Sequence, residues 1–236
     1  QAEACYKRAL TLRERLGDPL WIGNALNTLG LIKREQSDYD SALVFLDRAL
    51  AVRQKMGNKD DIARTLSFIG DVYQQRQDLS RAQDFYERAL TTLGPQATGE
   101  AMITAKERLG NVASGLGNHE TAETAYREAL QGWQALGRPL GVANARRNLA
   151  EELRVLGRPA EALVELDHAR QWFEEEGRDR PLAETLDTAS RVQLDLGNPD
   201  EALALAQEGL RRAEASGYAS QKTRLLLRLG VIHQEL

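Results

Sequence analysis

Small and apolar positions in this chain recur at a fixed interval of 40 residues. The stretch from Asn24 to Gly57 shows the unit. A first helix carries Leu29-Gly30, a short polar break follows, and a second helix carries Ala42, Leu46, Ala49 and Leu50 before Gly57 closes it. Stepping forward by 40 turns Ala42 into Ala82, Ala122, Ala162 and Ala202, and stepping back gives Ala2. The Gly30 column continues as Gly70, Gly110, Ala150, Ser190 and Gly230, always a small residue. A third column runs Tyr6, Leu46, Tyr86, Tyr126, Leu166 and Ala206. A period held over the whole chain implies a repeat array in which each unit buries its apolar face against its neighbours.

The columns have a physical reading. The small residue of the first helix and the alanine twelve positions later face each other across two antiparallel helices, where a larger side chain would force the backbones apart. The Tyr/Leu column fills the space beside them. Glycine at the end of the unit supplies the left-handed residue that closes a helix.

This pattern predicts helices over 2–17, 20–36 and 41–56, 61–76 and 80–93, 100–116 and 120–136, 140–156 and 160–176, 181–196 and 200–216, and a last one from Gln221 to Leu236. Gly94-Pro95 stops one second helix early, and the next first helix contains Gly110 and Gly115, each costing about 0.5–1 kcal/mol relative to alanine, so the segment from Gly94 to Gly117 is the expected site of irregular packing or a bend. Gly157-Arg158-Pro159 and Gly197-Asn198-Pro199 follow the stop-and-start rule of glycine past one helix and proline in the first turn of the next.

The best copy of the unit reads Leu66-x2-Ile69-Gly70-x2-Tyr73, then Ala82-x3-Tyr86 and Ala89. This resembles the tetratricopeptide repeat, whose signature is W-x2-L-G-x2-Y followed by A-x3-F and a later A. The first position departs, reading Leu26, Leu66, Lys106, Arg146, Leu186 and Leu226, and the period exceeds the usual ~34 residues. The long form is similar to the repeats of kinesin light chain and of the sensor regions of bacterial signal-transduction ATPases and transcription activators. HEAT and armadillo repeats run near this period but lack the Gly-to-Ala spacing. The resemblance implies an all-α fold, an α-α superhelix of antiparallel hairpins. It covers residues 1–236 as a single array of about five and a half repeats.

Composition narrows the partner. The net charge is -4 and the pI about 5.6, which argues against nucleic acid as a direct partner, since phosphate binding needs a basic face. The single cysteine, Cys5, excludes an internal disulfide, and its column of Phe45, Phe85 and Leu205 predicts a small core residue. No apolar run reaches the ~18 residues that span a membrane, and no secretory signal pattern is visible, so no membrane partner and a cytoplasmic location are expected. The chain opens in a second-type helix and closes in a first-type helix rich in leucine. This predicts a fragment of a longer protein, truncated at both ends, with end-to-end self-association as the rival to a monomer.

In the tetratricopeptide family the first helices line a concave groove where partners bind. The resemblance therefore implies groove positions at Asn24, Asn27 and Arg34 in the first full repeat and Arg64, Asp71 and Gln74 in the second. It implies Asn111 in the third, Asn144, Arg147, Glu151 and Arg154 in the fourth, and Arg191 in the fifth. The asparagines suit a ligand's backbone amides. Arg147 and Arg154, two turns apart on one face, and Arg64 suit an acidic or polar peptide. The competing reading is a solvated face with local pairs such as Arg147–Glu151. Trp133, Phe173 and Leu93 share a column with Arg13 and Arg53 and are expected between repeats. Trp21 is expected as a packing anchor, and Trp172 as a half-exposed contact point.

Catalytic chemistry is not indicated. His119, His168 and His233 fall in different columns, no His/Cys cluster has metal-ligand spacing, and no phosphate-cradling glycine loop is present. The expected function is a non-catalytic protein- or peptide-binding scaffold without cofactor or metal. The alternative is an effector- or inhibitor-sensing region of a bacterial transcription regulator or signalling ATPase.

Overall fold

A computed structural model describes residues 2–235. The described residues form twelve helices: α1 (Ala2–Leu16), α2 (Pro19–Glu35), α3 (Tyr39–Met56), α4 (Lys59–Gln75), α5 (Leu79–Leu93), α6 (Glu100–Gly115), α7 (His119–Ala135), α8 (Pro139–Val155), α9 (Pro159–Glu175), α10 (Asp179–Asp195), α11 (Pro199–Ala215) and α12 (Ala219–Glu235). Leu236, the expected end of the last helix, lies outside the described residues.

Apart from α1 and α6, the helices start one or two residues earlier than the periodicity suggests, because the caps sit just outside the apolar pattern. Asp18, Asp38, Asn58 and Asp78 each accept a hydrogen bond from the backbone N–H three residues on, satisfying a donor the helix leaves open. At α9 and α11 no side chain caps the helix, and Pro159 and Pro199 at the first turn take over that role.

The turns follow the same period. Gly17, Gly57, Gly137, Gly177 and Gly217, at the exits from second helices, all have positive φ. Within the hairpins the left-handed residue is Gly117, Gly157 or Gly197 in the later repeats, but Ser37 (φ 60°) and Gln77 (φ 62°) in the earlier ones.

The chain divides into two compact units, Gln1–Gly117 and Asn118–Leu236. In the first, α2 pairs with α3 and α4 with α5, while α1 packs on α2 and α6 packs on α5 and α4. In the second, α8 pairs with α9 and α10 with α11, α7 packs on α8, and α12 packs on α11 and α10. The expected irregularity is confined to the turn between α5 and α6, and α6 runs unbroken through Gly110. Helix α5 ends at Leu93, Gly94 turns the chain at φ 82°, and α6 begins at Glu100 behind Gly99, which offers no side-chain cap.

The small-residue columns do the packing. Ala42, Ala82, Ala122, Ala162 and Ala202 are fully buried; the side chain of Ala2 lies outside those described. A Cβ on Gly30 would meet Leu46 Cγ at 2.6 Å. Where the column holds Ser190, the hydroxyl donates to the Ala202 carbonyl at 2.9 Å, and the facing position is Ala206 rather than Tyr or Leu. Leu93, Trp133 and Phe173 are buried as expected, and so is Arg53.

Three expectations fail. Tyr6, expected with its column to fill the space beside the small residues, is 40% exposed on α1. Cys5 is exposed on α1, whereas Phe45, Phe85 and Leu205 in its column are half-buried against neighbouring helices. Trp21 is also exposed, covered on one face by the Arg13 guanidinium 4.7 Å from the ring centre. No described helix is long and apolar enough to cross a membrane.

Candidate peptide-binding groove

In the first unit the candidate face is built by α2, α4 and α6. Its centre is Asp71 on α4. Arg34 of α2 reaches it with Nη1 at 3.2 Å and Arg108 of α6 with Nε at 2.9 Å, so one carboxylate ties three successive first helices. The Tyr86 hydroxyl stands 2.9 Å from Asp71 and 3.0 Å from the Gln74 side-chain oxygen; its single proton serves the nearer carboxylate. Burial pushes the Asp71 carboxyl above the usual range, opposed by Arg108, Tyr86 and Arg34. Burial, with the facing carboxylate, pushes the Tyr86 phenol far upward. Arg34 also holds Glu35 at 2.7 Å.

Asn24 and Asn27 belong to a second network. Arg53, buried between the hairpins, donates to Asn24 Oδ1 at 2.8 Å, to Thr65 Oγ1 at 2.7 Å and to the Asp61 carbonyl at 3.0 Å. Asn27 is buried and its amide donates to Thr65 Oγ1 at 3.4 Å. Desolvation lowers the pKa of Arg53 from its ordinary value, and these acceptors hold it in place.

Arg64 is different. It is 54% exposed and its carboxylate neighbour, Asp61, is 3.7 Å away. It borders a cleft of about 280 Å³ between α4 and α6, with Ser67, Phe68, Glu100, Ala101, Thr104 and Arg108 as the other walls. Arg108 lies 5.7 Å from the centre of the Phe68 ring, so the cleft has an aromatic wall backed by a cation. Asn111 is exposed farther along α6.

In the second unit the same face is closed by ion pairs. Arg147 Nη1 meets Glu184 Oε2 at 2.6 Å. Glu151 accepts from Arg191 at 2.8 Å and from Arg154 at 3.1 Å, and Arg154 also reaches Asp195 at 2.9 Å. Burial raises the Glu151 pKa, but hydrogen bonds and charge from Arg154 and Arg191 outweigh it and hold the carboxyl below its ordinary value. For Arg154, burial is likewise outweighed by bonds to Glu151 and Asp195, and its pKa rises. Asn144 is half-buried on α8.

The predicted groove residues thus occupy first helices, but five of the twelve, Arg34, Asp71, Glu151, Arg154 and Arg191, are partners of one another. The local pair Arg147–Glu151 does not form: Arg147 crosses to Glu184 on α10, and Glu151 is taken by Arg154 and Arg191. Arg108 and Tyr86, which complete the Asp71 cluster, were not among the groove positions. A signal for the cross-helix pairs does exist. Arg34–Asp71 and Arg147–Glu184 are both 37 residues apart, one helical turn short of the repeat period. Among the described residues no group of three or more His, Cys, Asp or Glu is placed to hold a metal ion.

The geometry agrees with what the chain is similar to. No curated protein matches the sequence. The chain resembles the solved structure of BtubC (BKLC) from P. vanneervenii, with a TM-score of 0.82, 23% identity and 91% of each chain covered. It also matches the signal transduction ATPase with numerous domains, a protein with a tetratricopeptide repeat sensor from Pyrococcus horikoshii, at a TM-score of 0.77 and 16% identity. That match covers 91% of this chain but 33% of the other. A Rap protein complexed with Competence and Sporulation Factor matches with a TM-score of 0.70 and 16% identity, over 96% of this chain and 71% of that one. At these identities the likeness speaks to the fold. The tetratricopeptide repeat family model matches residues 1–55, 21–93, 101–164 and 141–215, and the chain belongs to the tetratricopeptide repeat family.

Proposed function

We propose that this chain is a non-catalytic scaffold that binds a protein or peptide along its first-helix faces, with the α4–α6 cleft as the anchoring point. One observation carries the reading. Arg64 is more than half exposed, its nearest carboxylate is 3.7 Å away, and it stands beside the Phe68-walled cleft, whereas Arg34, Arg147, Arg154 and Arg191 are engaged by carboxylates of neighbouring first helices. The segment that suits this cleft is extended, with an acidic side chain for Arg64 and an apolar one against Phe68. The negative balance of the chain fits a protein partner rather than nucleic acid. The repeat period runs unbroken across Gly117, so the proposal takes the chain as one array, working as a cytoplasmic monomer.

Affinity capture with Arg64→Glu tests it, using Arg48→Glu on the exposed side of α3 as the control. A partner retained by the wild type and by the control, but lost with Arg64→Glu, supports the groove. Retention by all three overturns it.

The second reading, an effector- or inhibitor-sensing region, draws support from the likeness to the archaeal ATPase whose tetratricopeptide repeats are described as its sensor. The complex of a Rap protein with Competence and Sporulation Factor shows the same fold with a bound factor, which fits either reading.

A further inference from the structure

A pocket of about 340 Å³ lies away from the groove positions, between the end of α7, the start of α8 and the outer face of α9. Its walls are apolar: Pro139, Val142 and Ala143 from α8 and the Trp172 indole from α9. The indole is held edge-on to Phe173, with ring centres 5.4 Å apart and planes at 71°, and Phe173 is fully buried. The aromatic wall is therefore anchored to the core.

The polar groups at the rim are unequal. Arg146 is taken by Glu165 at 2.6 Å. His168 has Nδ1 2.7 Å from the Val164 carbonyl, so that nitrogen donates to it. Gln134 is neutral. Arg138 is exposed and makes no ion pair among the described residues. The rim therefore presents the unpaired Arg138 guanidinium above an apolar, aromatic-walled cavity. The next slot along, where Leu182 and Leu186 replace Val142 and Arg146, differs in this respect. There Glu174 and Glu208 stand in place of Gln134 and His168, and Arg212 stands in place of Trp172.

We propose that the Trp172 pocket binds a small amphipathic carboxylate, a one- or two-ring aromatic acid, with the ring against Trp172 and Val142 and the carboxylate at Arg138. The volume is at the small end of ligand pockets, which suits a fused two-ring acid and excludes a nucleotide-sized one. The guanidinium matches a carboxylate in shape as well as charge. This site is independent of the groove reading.

The test uses 2-naphthoate, with 2-naphthamide as its neutral counterpart. Binding is followed by the indole N–H signals in nitrogen–proton spectra. The chain has three tryptophans, and Trp172→Phe identifies the signal of interest. The expected result is a saturable shift of the Trp172 signal with 2-naphthoate at roughly 1 mM or below, while the Trp21 signal stays in place. Arg138→Gln should weaken the acid by about fivefold and leave the amide unchanged. Arg138 is exposed, so an unaltered melting temperature is expected for that variant. Absence of a saturable Trp172 shift overturns the site. Equal binding of acid and amide, indifferent to Arg138→Gln, overturns the carboxylate assignment.

Discussion

A Cβ placed on Gly70 would stand 2.5 Å from Cε1 of Tyr86, inside the surface of the ring. The ring has no room to retreat, since Tyr86 is fully buried and its hydroxyl is bonded to Asp71. Gly70→Ala is therefore expected to destabilise the first unit by about 1–3 kcal/mol through overpacking. Ser190 opposite Ala206 shows how the same column tolerates a larger residue when its neighbour shrinks. In a Tyr86→Ala background, Gly70→Ala should be neutral or favourable, because a helix-interior glycine costs about 0.5–1 kcal/mol relative to alanine. Urea unfolding of the four proteins of this cycle measures the coupling, and equal costs in both backgrounds would contradict the contact.

Ser37 and Gln77 hold left-handed backbone at turns where Gly117, Gly157 and Gly197 hold it in later repeats. Both side chains are exposed, so little is lost on removing them. A non-glycine residue in this region carries a steric cost of about 1–2 kcal/mol, partly offset by the greater freedom of glycine in the unfolded chain. Ser37→Gly and Gln77→Gly are each expected to raise the stability of the first unit by about 0.5–1 kcal/mol. A lowered urea midpoint for either would be the contrary result.

Glu151 and Asp71 respond oppositely to acid. Glu151 has a folded pKa below its ordinary 4.5. Its contribution to stability is present above 4.5 and is lost as pH falls through the folded value. Asp71 has a folded pKa above 3.8, so its carboxyl favours folding when protonated, and that contribution is lost as pH rises through the folded value. Melting temperatures followed from about pH 6 down to about pH 3 should therefore fall less steeply in Glu151→Gln than in the wild type. They should fall more steeply in Asp71→Asn. Parallel curves for wild type and Glu151→Gln would remove the assignment.

The fold was legible because a fixed period constrains every unit at once. The Ala42 column, the Gly30 column and the aromatic column each carry one packing role, and from Gly30 to Ala206 the structure places their members in the core, while Tyr6 and Gly230 are exposed. The candidate groove was legible only as positions. Which of its arginines are free depends on reach across helices 37 residues apart, and a reading confined to i,i+4 neighbours assigned Glu151 to the wrong partner. Cys5 escaped for a similar reason. A column shows what a position usually packs against, but burial also needs a neighbouring helix over that position.

Arg147 and Glu184, 2.6 Å apart and each about a quarter exposed or less, separate a structural from a binding role on the groove face. If Arg147 serves chiefly to join α8 to α10, reversing it sets two carboxylates against each other. The second unit should then lose on the order of 2 kcal/mol, between the small worth of a surface pair and the larger cost of breaking a buried one. Exchanging both charges, Arg147→Glu with Glu184→Arg, should restore most of that loss, because the pair has no second partner in the hydrogen-bond pattern of either side chain. A bound partner that needs a cation at position 147 would respond differently. The exchanged protein would fold as the wild type does and still fail to capture it. Restored stability together with restored capture is the expected outcome, since Arg64 is the groove arginine left open to a ligand.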